Sequence, residues 1–303
     1  MFKKILVCTD GSASALEATR IGADLARRLG AEVVVINVFP DFYADAAYLG
    51  AWTLTAHQAS LDRNAKAREE AIEKSAQPHF ERTGVSCRFM QERGQPVQGI
   101  LHVAAREKVD LIVIGSRGLS GLTELFLGSV SDGVLHHAVC PVLIVQGGNA
   151  PSGTGEFRNI LLASDSSASA DNALTTAVQL ARTFATSLTV LNVFETYPDL
   201  IYQPANAIGG MEIVSDFHPE DYASHLLEMV TQQTSIAAKE AGVSSFVYQE
   251  HGHPGKSIVR FAVKHNSDLI VMGHRGLGGF KEMLLGSVSN YVAHHAECPI
   301  LII

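Results

Sequence analysis

Two stretches of this chain are copies of each other. Gln91–Val145 aligns without a gap onto Gln249–Ile303, with about half of the positions identical. Lys4-Ile5-Leu6-Val7-Cys8-Thr9-Asp10 returns as Asn159-Ile160-Leu161-Leu162-Ala163-Ser164-Asp165, and Ile36-Asn37-Val38-Phe39 as Leu191-Asn192-Val193-Phe194. The second copy therefore carries a net three-residue insertion in its middle. Whatever fold one copy adopts, the other must adopt as well. The chain's 303 residues amount to about two domains of roughly 150 residues, each large enough to bury a core. Between the copies, 147–155 is rich in Gly and lacks apolar periodicity, the composition of a linker. The expected division is a domain over 1–146, a linker over 147–156 and a second domain over 157–303.

Within the first copy, apolar runs at about 4–8, 32–38, 85–90, 110–114 and 142–145 have the unbroken character of strands buried on both faces. Helical stretches lie between them. Ser12 or Ser14 caps a helix that runs through Arg27, Ala56–Arg82 is long and charged, Val97–Glu107 follows a proline, and Ser120–His137 precedes Cys140-Pro141. Strands that alternate with helices predict an α/β chain: two tandem doubly wound domains, each a mostly parallel five-stranded sheet with helices on both faces. Ligands of such sheets sit beyond the carboxyl ends of the strands, where the strand order reverses. Asp10, Val38 and Gly115 all fall at such ends.

A spaced glycine pattern follows the fourth strand of each copy. In the first it reads Gly115-Ser116-Arg117-Gly118, nine residues, then Gly128-Ser129-Val130-Ser131. In the second it reads Gly273-His274-Arg275-Gly276, nine residues, then Gly286-Ser287-Val288-Ser289. Glycines after a strand let backbone approach a ligand closely, and the free N–H groups of the next helix start attract anions. Backbone N–H groups and the hydroxyls of Ser129, Ser131, Ser287 and Ser289 are all donors to phosphate oxygens. Arg117 and Arg275 supply the fixed positive charge inside the motif. A blander reading stands beside this one, in which the glycines only turn the chain and Asp10 and Asp165 only cap the following helices.

Several function classes fall away on composition. The net charge of −8 leaves no basic stripe to neutralise a nucleic-acid backbone, so nucleic acid is not expected as a partner. The apolar run after Met1-Phe2-Lys3-Lys4 is too short for a signal-peptide core, and no run approaches the ~20 apolar residues of a membrane span. No membrane association and a cytoplasmic location are expected. Four cysteines, Cys8, Cys87, Cys140 and Cys298, do not make a disulfide framework. The strings His136-His137-Ala138-Val139-Cys140-Pro141 and His294-His295-Ala296-Glu297-Cys298-Pro299 invite a metal reading, yet no second ligand pair accompanies either, and no metal site is expected. Gly252–Ser257 ends like a phosphate-binding P-loop, but Glu250 stands where that loop needs glycine. A turn opening a helix, with Pro96 or Pro254 near its first position, explains both copies.

With these residues in view, the chain resembles the universal stress protein family, specifically its tandem two-domain members of the ATP-binding subgroup. That subgroup is marked by Gly-x2-Gly-x9-Gly-Ser/Thr, which both copies match. The resemblance implies an adenine nucleotide alpha hydrolase-like fold and an adenine nucleotide, ATP or another, with or without Mg, as the bound cofactor. It implies that Asp10 and Asp165 hydrogen-bond the ribose or adenosine region, and that Val38 and Val193 offer backbone groups to the adenine edge. Gly115, Ser116, Arg117, Gly118 and Gly128, Ser129, Val130, Ser131 would wrap the ribose and phosphates of one site. Gly273, His274, Arg275, Gly276 and Gly286, Ser287, Val288, Ser289 would do so in the other. Family members commonly pair through their last strands, so Val142–Val145 and Ile300–Ile303 would make the chain an intrachain pseudo-dimer, open to further assembly as a homodimer of chains.

The implied function is a stress-response protein that senses or holds nucleotide. Phosphoryl transfer needs a metal held by carboxylates and a group that orients water, and neither stands beside these glycines, so any hydrolysis is expected to be slow and no catalytic residue is assigned. Glu124 and Glu282, on the nine-residue spans, read as exposed helical carboxylates. Two alternatives remain open: a slow ATP hydrolase, and a scaffold that binds no nucleotide in one or both domains. In the scaffold, the aromatic-bearing stretches Asp41–His57 and Glu195–Tyr222 would close the pockets.

Overall fold

The computed structural model describes residues 1–39, 54–118, 127–146, 156–194, 219–276 and 285–303. The first half runs β1 (Lys4–Cys8), α1 (Ala13–Leu29), β2 (Glu32–Phe39), α2 (Leu54–Thr83), β3 (Cys87–Arg93), α3 (Pro96–Glu107), β4 (Leu111–Gly115), α4 (Ser129–His137) and β5 (Val142–Val145). The second repeats it as β6 (Ile160–Ala163), α5 (Ala168–Phe184), β7 (Leu188–Phe194), α6 (Pro219–Ala241), β8 (Ser245–His251), α7 (Pro254–Lys264), β9 (Leu269–Met272), α8 (Ser287–His295) and β10 (Ile300–Ile302). Among the described residues no helix is long and apolar enough to cross a membrane.

Within each half the strands are parallel, in the order β3-β2-β1-β4-β5 and its repeat β8-β7-β6-β9-β10. The apolar runs of β1 and β4 are buried at nearly every position because helices cover both faces. Val7, Ile21, Val33 and Leu111 belong to the core beneath α1 and α2, while Leu6, Val34, Ile112 and Val134 belong to the core beneath α3 and α4. Each half also anchors its first strand with a carboxylate from the turn before its fourth. Asp110 accepts from the backbone N–H of Lys3 at 2.8 Å and of Lys4 at 3.1 Å. Asp268 does the same for Arg158 at 2.7 Å and Asn159 at 3.0 Å. Burial raises the Asp268 pKa despite these donors.

The halves join through their last strands. β10 lies antiparallel to β5, with Ile300 opposite Ile144, Leu301 opposite Leu143 and Ile302 opposite Val142, so the two five-stranded sets form one ten-stranded sheet. Both core clusters run across this seam: Leu143 and Leu301 share one, Ile144 and Ile300 the other.

Two elements differ from the sequence expectation. The third strand runs over Cys87–Arg93 rather than 85–90, because as an edge strand it alternates exposed and half-buried positions and carries charges that an apolar run does not reveal. The helix expected from Ser120 begins at Ser129, since Gly128 is extended at φ −69°, ψ 151° and serves as its N-cap. The Leu119-Ser120-Gly121 and Leu277-Gly278-Gly279 turns, Glu124 and Glu282 lie outside the described residues, as do 40–53 and 195–218 of the aromatic stretches and the linker over 147–155.

The cysteines are free. Burial pushes the thiol of Cys140 up to about 11 and that of Cys298 up to about 12, and raises Cys8 further still, so these thiols stay protonated. His137, His294 and His295 each direct Nδ1 to the carbonyl four residues back, at 2.7 to 2.8 Å, which occupies the paired histidines at their own helix ends. Among the described residues no group of three His, Cys, Asp or Glu side chains is arranged to hold a metal ion.

Candidate functional site

At the carboxyl end of β1 the chain must leave the sheet and enter α1 within four residues. Gly11 makes the turn in the left-handed region, at φ 80°. Asp10 Oδ1 accepts from the Ser12 N–H at 2.9 Å, closing an Asx turn, and Ser12 Oγ caps α1 by accepting from the Ala15 N–H at 3.3 Å. The second half repeats the device with Asp165 and Ser167 at 3.0 Å and Ser167 and Ala170 at 3.3 Å. The serines, rather than the aspartates, are the caps. Asp10 Oδ2 faces the glycine loop, where a methyl on Gly118 would stand 2.7 Å from it.

Beyond β4, Gly115 lies against the first turn of α1 so closely that a methyl there would come within 2.7 Å of the Ser14 carbonyl carbon. The loop is then tied down on two sides. The carbonyl of Arg117 accepts from Ser14 Oγ and, at 3.3 Å, from Ser12 Oγ; the carbonyl of Arg275 accepts from Ser169 Oγ and, at 3.2 Å, from Ser167 Oγ. From the other side the Gly128 N–H donates to Ser116 O at 2.7 Å, and Ser131 Oγ donates to Gly115 O at 2.9 Å and Ser116 O at 3.1 Å. Gly286 and Ser289 repeat these contacts on the 273–274 carbonyls. The two glycine segments of each motif are thereby held face to face.

These contacts divide the serines that the sequence treated alike. Ser131 and Ser289 are buried and direct their hydroxyl protons to loop carbonyls, so their side chains position the loop. Ser129 and Ser287 are exposed at the first helical position. Gly128 and Gly286 cap α4 and α8 without a side-chain hydrogen bond, which leaves the opening N–H groups of both helices to an acceptor from outside.

Between the loop and the α4 start lies a cleft of about 220 Å³. Ile36, Val38, Ile100 and Ile114 make its apolar wall, and Asp10, Gly115, Arg117, Gly118, Gly128, Ser129, Val130 and Ser131 its polar side. Ser116 is not on the wall; it is 1% exposed, and its hydroxyl is buried without a partner. The second cleft encloses about 110 Å³ and gathers Asp165, Val193, Gly273, Arg275, Gly276, Val288 and Ser289. His274 is exposed, with Nδ1 2.8 Å from Ile303 O, and neither it nor Gly286 nor Ser287 is on that wall.

Sequence reasoning left several contributors unassigned. Asn37 and Asn192 direct Nδ2 to the Thr9 and Ser164 carbonyls, at 2.5 and 2.9 Å, pinning the end of each half's first strand to its second. Their signal was present, since both sit inside aligned strings. Ser14 and Ser169 gave less: a serine just inside a helix reads as a cap until the loop from β4 is seen above it. Pro96 and Pro254, which open α3 and α7, also stand on the cleft walls, at the place where the resemblance puts a Gly-x-Pro near the pocket's rim.

Known proteins resemble this chain over its whole length. The sequence profile of the universal stress protein family matches residues 1–146 and again 156–303. Universal stress protein YxiE of Bacillus subtilis is 37% identical over 153 residues, covering 48% of this chain and 100% of that protein. A universal stress protein of Mycolicibacterium smegmatis is 25% identical over 304 residues, covering 99% of this chain and 96% of its own. The crystal structure of a universal stress protein from Archaeoglobus fulgidus superposes with a TM-score of 0.68 at 24% identity, over 99% of this chain and 95% of that one, which supports the fold.

Proposed function

Because the chain belongs to the universal stress protein family, a family of stress-response proteins, we propose that it binds an adenine nucleotide, ATP foremost, in its strand-end clefts and holds it rather than turning it over rapidly. The observation that carries this reading is the shape of the first cleft, an apolar slot that opens onto uncapped helix N–H groups and a glycine loop. A flat base fits the slot between Ile36, Val38 and Ile114, with the Val38 backbone at its edge. Asp10 lies where a ribose hydroxyl would follow, and the phosphates would run past Gly118 to Gly128, Ser129 and the Val130 N–H, with Arg117 balancing their charge.

Slow turnover follows from the donor set. Asp10 and Asp165 are the carboxylates among the described wall residues of the two clefts, and each already accepts a backbone N–H. A lone carboxylate at the ribose end neither holds a metal at the phosphates nor orients water there. Mg would then arrive as the nucleotide's own counter-ion. ATP being a cytosolic compound, we infer a cytoplasmic location, and we take the domains as 1–146 and 157–303.

Denaturing the freshly purified protein and separating the released small molecules tests this directly. An adenine nucleotide should appear in a substantial fraction of the amount of chain. A preparation that releases none, and that also takes up no adenylate when it is added, would refute the reading.

A further inference from the structure

The ten-stranded sheet ends in β3 on one side and β8 on the other, two edges that the repeat would make alike. They are not alike. At the β3 edge, Lys4 and Arg88 both pair with Glu107 of α3, Lys4 Nζ at 2.9 Å, so the face beside the strand is closed by charge. Asn159, Phe246 and His265 hold the same three places in the second half. Phe246 is 55% exposed and Tyr248, the next residue on the same face, 42%. Behind them His265 stacks on the buried Phe261 with 4.0 Å between ring centroids, and Tyr248 leans on both rings at 5.4 and 5.7 Å. A ring already held by its neighbours loses little freedom on being covered.

The backbone of this edge is open as well. The Leu188 N–H donates to Ser244 O at 2.9 Å and the Gly252 N–H to Phe194 O at 3.0 Å, so the even-numbered residues of β8 turn their backbone groups toward β7. Ser245, Val247 and Gln249 turn theirs outward, where no strand among the described residues meets them. An open edge beside large apolar side chains is a template for another strand.

Two such edges fit each other. In an antiparallel pair of β8 strands about a twofold axis at Val247, Ser245 comes opposite Gln249, and Phe246 of each chain opposite Tyr248 of the other. No charge meets its like. Glu250 comes opposite Ser244, toward the end of the second chain's α7, where Lys264 and His265 stand. We infer that β8 docks a second copy of this chain, joining two ten-stranded sheets edge to edge. Each half-exposed ring brings about 100 Å² to the contact, which with the strand edge stays below the ~800 Å² per partner of a standard interface. The dimer is therefore weak and forms as concentration rises, whatever the clefts hold.

Sedimentation equilibrium of the full chain from about 1 to about 300 µM reads this as mass against concentration. The expected course is from monomer to dimer and no further, because a twofold contact closes on itself. Phe246→Arg, which gives position 246 the residue type found at 88, should raise the dissociation constant at least about tenfold and leave the thermal midpoint unchanged. Tyr248→Arg should weaken the dimer likewise, so a folding defect in one variant leaves the other to decide. A chain that stays monomeric over this range would overturn the inference, as would a dimer that either folded variant leaves intact. A mass that climbs past dimer would overturn it too, by showing that β8 docks on the β3 edge of the next chain.

Discussion

Ser166 occupies the place that Gly11 holds in the first half. It keeps the left-handed backbone, at φ 63°, although it bears a side chain, and its hydroxyl is buried without a partner. A non-glycine residue in that region stores on the order of 1 kcal/mol, and an unpaired buried hydroxyl adds a comparable cost, offset in part by the greater freedom glycine brings to the unfolded chain. Ser166→Gly should therefore stabilise the protein by about 1 kcal/mol, seen as a rise in the thermal midpoint; an unchanged or lowered midpoint would show that the serine is better accommodated than its geometry implies. The duplicated alignment made this position visible as a difference but not its sign, because only the backbone angle says which residue the turn prefers. The same limit applies to Ser131 and Ser289. Their spacing placed them in the motif, whereas the direction of their hydroxyls, toward the 115–116 and 273–274 carbonyls, depends on a loop that returns from the opposite side.

Among the helices, the seam between α1 and α2 concentrates charge under partial burial. Asp24 is buried and accepts from Arg82 Nη2 at 2.9 Å on both oxygens, with Arg20 Nη1 at 3.5 Å. His79 lies in the same seam, and burial first, then the nearby Arg82 and Arg20 cations, holds its pKa below the ordinary histidine value. A group depressed in the folded state binds its proton more readily once unfolded. Its contribution to stability is therefore present above about pH 6.5 and is lost as the pH falls from there through the lower folded value. Denaturant titrations between pH 7.5 and 5, as an approximate working range, should show wild type losing stability on acidification more steeply than His79→Gln. Parallel losses would remove His79 from the explanation. The elements themselves were legible wherever burial was two-sided, as at β1, β4 and β5, since such strands are written as unbroken apolar runs. They were less so at the edge strand β3, and at α4, whose first turn is set by an extended Gly128 rather than by any change in composition.

Across the molecule, the antiparallel pairing of β5 with β10 turns two repeated units into one sheet with a core on each face that runs through both halves. The alignment revealed the repeat, but the continuity of both cores across the seam is a property of the assembled sheet. His294 of the second half also reaches Asp132 of the first, with Nε2 3.6 Å from Oδ1. Unfolding is thus expected to be shared between the halves. Leu143 is 1% exposed opposite Leu301, and Leu143→Lys places an unpaired charge there at a cost of about 3 kcal/mol or more. That variant should melt in two separable steps where the wild type melts in one; a single step in both would mean that the seam does not couple the halves. The clefts sit at the strand ends of this shared sheet, one in each half, and the function proposed for the chain stands or falls with what enters them. A crystal structure of the full chain grown with ATP tests that most directly. Density for a base against Val38 with phosphates at Gly128 and Ser129 is the expected result, and a first cleft without nucleotide at saturating ATP would contradict it.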